Sequence, residues 1–291
     1  MEKPHTSRRF LSRMVVATLL IAVITASLLG SGCIGNKDAG TQEHAMKLQV
    51  AGSTTVLPIA EECARVFMEN NPGSKVYVSG GGSSHGIKAA ADGTINIGDT
   101  SRDMKDSERA SHPGLVTHAV AKDGVAIVVH PESPVNGLTM QELKSIYAGE
   151  ITNWKDIGYE DADIMVVSRE EGSGTRDCFE QAVLASTKEE ITANAIIQDS
   201  NGKTRTTVAG NKDAIGFLSL GYVNSDIKAV SLDGTEPTIE NIRSGDYAIS
   251  RTLWMITDGA PDADEQAFLD FVLSENGQEI VSEVHFIPVS G

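Results

Sequence analysis

Residues 169–176 read Arg-Glu-Glu-Gly-Ser-Gly-Thr-Arg. Guanidinium groups supply forked donors, and the Ser173 and Thr175 hydroxyls supply single donors. The glycines let backbone N–H groups approach a ligand closely. Such a set suits an oxyanion. Ser173 also has a plainer reading as an ordinary helix cap. On this stretch alone the two readings stand level. Related turns upstream favour the anion: Gly52-Ser53-Thr54-Thr55, Gly80-Gly81-Gly82-Ser83-Ser84 and Gly98-Asp99-Thr100-Ser101-Arg102. No Gly-Lys-Ser/Thr closes any of them, so none is a nucleotide P-loop. Ser173 also lacks the Gly-x-Ser-x-Gly setting of a nucleophile, and no histidine spacing offers to activate it. No metal-ligand spacing and no cofactor motif occurs, and we expect a binding protein rather than an enzyme.

These turns need elements to hold them. Ile164–Val167 reads as a buried strand before the 169–176 turn, and 178–184 as a helix after it. Lys47–Val50 leads into the first turn, and Val56–Asn70 follows with Ile59, Ala60, Cys63, Val66 and Phe67 at helical spacing. Lys75–Val78 and Ile95–Gly98 are further strands, with helices expected at 87–91 and 104–110. Strand, glycine turn and helix in repetition imply a parallel, helix-covered sheet. Ligands of such sheets bind beyond the carboxyl ends of the strands. Leu115–His130 is a long apolar run interrupted by Lys122-Asp123-Gly124, read as two strands with a crossing near 121–125. Arg251–Thr257 is the candidate return crossing. Asn201–Val208 is polar with a weak helical pattern, and 227–232 reads as one strand. The expected architecture is α/β and two-lobed, with 47–121 and 252–291 as lobe I and 122–251 as lobe II. The glycine turns would meet between the lobes.

With 40% hydrophobic and 22% charged residues the chain is globular, and its net charge of −16 argues against nucleic acid or an anionic membrane surface as partner. The first residues differ from the rest. Lys3, Arg8, Arg9 and Arg13 precede the apolar run Met14–Leu29, and Gly30-Ser31-Gly32-Cys33 follows. The run is shorter than the roughly 20 residues of a spanning helix. We expect an export signal over 1–32, of lipoprotein type with lipid on Cys33, then a polar tether over 33–46. An uncleaved membrane anchor is the alternative, and both place the remainder outside the cytoplasm. Cys63 and Cys178 are expected to be buried free thiols, with a disulfide as the alternative.

Taken together, the 51–58, 80–87, 97–102 and 169–175 motifs, with Ile151-Thr152-Asn153-Trp154, resemble those of the phosphate-binding subunit of phosphate ABC importers, the PstS family. The resemblance covers about 47–291. It implies a periplasmic-binding-protein-like fold of type II, each lobe a helix-covered, mostly parallel sheet, joined by two crossing segments. It implies capture of inorganic phosphate for the permease and ATPase subunits of an importer, by a monomer held at the outer face of the cell membrane through its lipid. The residues it assigns to phosphate are Thr54, Thr55 (including its N–H), Ser83, Ser101, Arg169, Ser173, Gly174 and Thr175, with Ser53, Ser84 and Arg102 as further candidates. For Arg102 a salt bridge to a neighbouring acid is the competing role, and His85 reads as a solvated neighbour. The chain departs from some members at Ser101, where they place an aspartate that accepts the proton of phosphate. Asp99 or Glu170 could substitute. Sulfate, molybdate and tungstate are therefore alternative ligands. A secreted phosphoester hydrolase is a more distant reading, and a sensory or adhesive surface protein another.

Overall fold

Alternating burial starts with the first described strand. β1 (Lys47–Gly52) buries Leu48 and Val50 and exposes Lys47 and Gln49. The computed structural model describes residues 46–185 and 189–289. The expected export segment, Cys33 and the tether up to residue 45 lie outside the described residues. α1 (Leu57–Asn70) carries Pro58 in its first turn and buries Ile59, Ala60, Cys63, Ala64 and Phe67 along one stripe. Then come β2 (Lys75–Gly80), α2 (Ser83–Ala91), β3 (Ile97–Thr100), α3 (Asp106–Ser111) and β4 (Leu115–Val129). The middle of the chain supplies β5 (Gly137–Leu138), α4 (Met140–Ala148), β6 (Met165–Arg169), α5 (Gly174–Val183), β7 (Ile196–Gln198), α6 (Asn201–Ala209) and β8 (Ala214–Ser219). It closes with β9 (Lys228–Ala229), β10 (Ser231–Leu232), α7 (Ile239–Ser244), β11 (Ser250–Asp258), α8 (Ala263–Leu273), α9 (Glu275–Glu283) and β12 (Ile287–Pro288).

The main sheet runs β2-β1-β3-β11-β4-β8-β6-β7. β1 is parallel to both β2 and β3, and β6 is parallel to both β8 and β7. The antiparallel pairs are central: β11 with β3 and β4, and β4 with β8. β4 therefore serves both sides. Its residues 115–124 pair with β11, and 125–129 pair with β8.

The expected break at Lys122-Asp123-Gly124 does not occur, and β4 is one strand of 15 residues. Thr252, Arg251 and Ser250 lie opposite those three residues and complete the ladder. The core changes sides there instead. Val120 and Ala121 pack with β1, α1, Leu253, Met255, α8 and α9. Val125, Ile127 and Val129 pack with α4, Phe179, Phe217 and Ile249. In that second core the Phe179 and Phe217 rings stack at 4.2 Å, with Tyr147 beside them. Each such fully buried side chain stabilises the fold by about 1.5–3 kcal/mol. Trp154 is in the same core, as expected.

The two cysteines among the described residues, Cys63 and Cys178, are free. Cys63 is buried in the first core and Cys178 is half-buried against the second, so the thiols lie apart. Burial pushes the Cys63 thiol up to about 12. Among the described residues no helix is long and apolar enough to cross a membrane.

Candidate anion-binding site

Four strands, β1, β2, β3 and β6, end in glycine or hydroxyl turns, and helices begin just beyond. After β1 the chain turns sharply at Gly52, whose φ is +143°. A Cβ there would stand 2.2 Å from the Asp99 carbonyl oxygen, so no other residue fits. The turn is tied down by Ser53 N–H donating to that carbonyl at 3.0 Å, and by Thr55 N–H donating to Ser53 Oγ at 3.1 Å. Thr54 and Thr55 are thereby presented side by side.

Gly82 precedes α2 with φ +88°, and Ser83 opens the helix fully buried. Its Oγ accepts from Ser101 N–H at 3.0 Å and lies 3.3 Å from Ser101 Oγ. After β6, Ser173 caps α5 by accepting from Arg176 N–H at 3.3 Å. Gly174 and Thr175 follow as the first helical residues. Ser173 thus takes the capping role, immediately before Gly174 and Thr175. The first turns of α2 and α5 adjoin, Ser84 N–H donating to Gly172 O at 3.0 Å, and the dipole of each helix favours negative charge at its start.

Every residue the sequence assigned to the anion is buried here. Thr55 Oγ1 and Thr175 Oγ1 are 3.2 Å apart although 120 positions separate them. A Cβ on Gly174 would stand 2.3 Å from Ser83 Oγ and 2.6 Å from Ser101 Oγ. Arg169 is 1% exposed. Its Nε donates to Glu170 and to the Gln198 carbonyl, and its Nη2 donates to Glu170 and Thr54. Its Nη1 is buried with no protein partner. A buried donor of that strength needs an acceptor.

The further candidates have structural roles. Ser53 Oγ holds Thr55 N–H. Ser84 Oγ accepts from Arg102 at 2.9 Å, while Ser84 N–H reaches Gly172 O at 3.0 Å. Arg102 takes the salt-bridge role: it grips both Glu108 oxygens at 2.7 Å and pairs with Asp177 at 2.6 Å.

Of the two proposed substitute acceptors, Glu170 is engaged by Arg169 and Asp99 is buried without a partner. Both Glu170 oxygens are on Arg169 at 3.0 Å. Asp99 is fully buried on β3 opposite Met255, with neither oxygen hydrogen-bonded. Burial pushes its carboxyl well above the ordinary range. A group with a raised folded pKa contributes fully at low pH and loses that contribution as pH rises toward the folded value. Asp99→Asn removes this titration. Its stability relative to the native protein should gain about 1.4 kcal/mol per pH unit above about pH 4, up to the folded pKa. Thermal melts of the two proteins from acid to neutral pH measure this, and parallel curves would show Asp99 to be ionised in the fold.

Four site residues were missed from the sequence. Asn201 opens α6, fully buried, and its Nδ2 donates to Thr54 and Thr55 at 3.3 and 3.0 Å. Arg251 donates to Thr175 at 3.0 Å, to Thr55 at 3.1 Å and to Ser101 at 3.4 Å. Asp123 holds Arg251 from β4. Tyr222 donates its hydroxyl to Thr54 O at 2.6 Å. The Ser200-Asn201-Gly202 start of α6 was the one local signal available.

The arrangement is a cage of hydroxyls and amides with two guanidiniums at its wall. Comparison with known proteins shows the family. Residues 36–276 match the model of a PBP superfamily domain. The phosphate-binding protein PstS of Bacillus subtilis is 31% identical over 281 residues, covering 95% of this chain and 93% of that protein. Among solved structures, a putative phosphate ABC transporter substrate-binding protein with bound phosphate from Clostridium perfringens is 41% identical. The match covers 84% of this chain and all of that one, with a TM-score of 0.80. An ABC-type phosphate transport receptor from Vibrio cholerae is 34% identical over 82% of this chain and 99% of that one, with a TM-score of 0.69. The chain belongs to the PBP superfamily and, within it, to the PstS family of substrate-binding proteins.

Proposed function

We propose that this protein captures inorganic phosphate outside the cytoplasm, in a cleft between two lobes, and delivers it to the permease and ATPase subunits of an ABC importer. The lobes are 47–121 with 252–291, and 122–251. The observation that carries the reading is the set of buried contacts of Thr55 with Thr175, Thr54 with Arg169, Ser83 with Ser101 and Gly174 with both serines, with Ser173 capping α5 beside them. The buried, unpartnered Nη1 of Arg169 supports it, because an oxyanion is the acceptor that group requires. The phosphate bound in the Clostridium perfringens relative supports the choice of anion.

Closure of the lobes over the ligand is supported by contacts that join them. Arg102 and Lys105 pair with Asp177 at 2.6 and 3.0 Å, Ser84 N–H bonds to Gly172 O, and Tyr222 bonds to Thr54 O. Anchoring by lipid on Cys33 and a monomeric state complete the proposal, on the sequence pattern and the resemblance respectively. The Ser173 hydroxyl serves as a helix cap, which fits a receptor better than a phosphoester hydrolase.

Calorimetry on the purified protein with phosphate, sulfate, molybdate and tungstate tests the reading. Phosphate is expected to give a saturable one-to-one signal. Absence of heat with all four would reject an oxyanion receptor, and steady turnover of a chromogenic phosphoester would replace it with an enzyme.

A further inference from the structure

Arg251 and Asp123 are opposite each other in the register of β11 and β4, on the two strands that run between the proposed lobes. Their side chains are 4% and 1% exposed. Arg251 Nε and Nη2 both grip Asp123 Oδ2, at 3.0 and 2.7 Å. That fixes one edge of the guanidinium plane. The other edge meets the cage: Nη1 is 3.0 Å from Thr175 Oγ1 and 3.4 Å from Ser101 Oγ, and Nη2 is 3.1 Å from Thr55 Oγ1.

Arginine only donates. Each hydroxyl oxygen that accepts from Arg251 is left with its own proton to give elsewhere. Asn201 Nδ2 acts on Thr54 and Thr55 in the same sense. The hydroxyls are thereby set as donors, and a second positive charge stands behind them. Both effects favour a more highly charged, less protonated anion.

We propose that Arg251 is the group that makes this cage select the phosphate dianion over the monoanion, and that Asp123 is its positioning residue. This rests on the phosphate reading above. Arg251 works through Thr55, Ser101 and Thr175 and through its charge, while Asp123 orients the guanidinium from a strand whose backbone is locked in the sheet. Burial pushes the Asp123 carboxyl upward and the Arg251 charge opposes that push, so acid would release the clamp as well as protonate the ligand.

The test is calorimetry with inorganic phosphate, using the full chain, at pH values across the second ionisation of phosphate. Arg251→Gln alone would leave Asp123 buried and unpaired, a strongly destabilising change. The informative variant is the double replacement Arg251→Gln with Asp123→Asn, which removes both charges and leaves no buried carboxylate unpaired. It should bind the dianion about 100-fold more weakly than the native protein, by the cost of losing a buried charged donor. Its preference for dianion over monoanion should shrink about tenfold, an effect that a purely structural role for the pair would not produce. A folded double variant with native affinity and native pH dependence overturns the proposal. If the double variant does not fold, Arg251→Lys keeps the ion pair and the charge but loses the fork. It should bind about tenfold more weakly with the charge preference retained, and unchanged affinity overturns the proposal. Failure of the native protein itself to bind any oxyanion would instead remove the phosphate reading.

Discussion

Arg169→Ala is expected to weaken phosphate binding by about three orders of magnitude, the largest effect of any single replacement in the cage. Arg169 ends β6 immediately before the glycine turn, so the sheet ladder with β7 fixes its backbone. Glu170 and the Gln198 carbonyl hold the Nε side of the guanidinium. Nη2 touches Thr54 from the opposite side of the cage, and Nη1 is left for the ligand. A charged donor with no other partner interacts with an anion in a water-poor site, where electrostatic attraction is much stronger than in bulk water. Glu170 is 28% exposed, so its carboxylate can rehydrate once the arginine is gone. The main folding cost is then the void left by a buried side chain. Arg169→Lys separates charge from geometry, because lysine keeps the charge and loses the fork. It should fall between the native protein and the alanine variant. Titration calorimetry with melting curves checks both. An alanine variant that is folded and binds within tenfold of the native protein would mean that the anion sits elsewhere.

The parts of this molecule that were legible in advance are those whose cause is local. A strand, a turn with glycines and a helix with capping hydroxyls leave marks within about ten residues of one another. That is why the turns that carry Thr54, Ser83, Ser101 and Ser173 could be recognised before any fold was known. Arg251 and Asp123 carry no such mark. They lie 128 positions apart on extended strands, and only the β4–β11 register brings them to one place. Asn201 was obscured because its helix buries just Asn201, Thr204 and Val208, which gives almost no apolar periodicity. The break expected at Lys122-Asp123-Gly124 failed for a related reason. Polar residues end an isolated strand, but these are paired by Ser250–Thr252 and anchored by the ion pair. The single strand expected over 227–232 is two short ones, β9 against β4 and β10 against β5, a division set by partners rather than by composition. Arg102 illustrates the opposite case: both of its roles were foreseen, and the positions of Glu108 and Asp177 decide between them.

The second large effect is expected at Gly174, where the change adds a single methyl group. In an exposed helix, replacing glycine by alanine favours folding by up to about 1 kcal/mol. At the first residue of α5 the same methyl would lie 2.3 Å from Ser83 Oγ and 2.6 Å from Ser101 Oγ. Those hydroxyls belong to α2 and to the turn after β3, which reach the site from the other proposed lobe. They are fully buried and bonded to each other through Ser101 N–H and the two oxygens, so neither can swing aside freely. The methyl must therefore hold the two walls apart or occupy the space meant for the anion. Gly174→Ala should keep the native melting temperature within a few degrees while its phosphate affinity falls about 100-fold or more. Gly202→Ala serves as the control, since it adds the same methyl to the first turn of α6 with nothing within 4 Å. That variant should fold and bind as the native protein does. If Gly174→Ala also binds normally, the donors do not close around the ligand in the way the cage geometry requires. If Gly174→Ala unfolds while Gly202→Ala does not, the contact among Gly174, Ser83 and Ser101 is a folding contact first, and its part in binding is secondary.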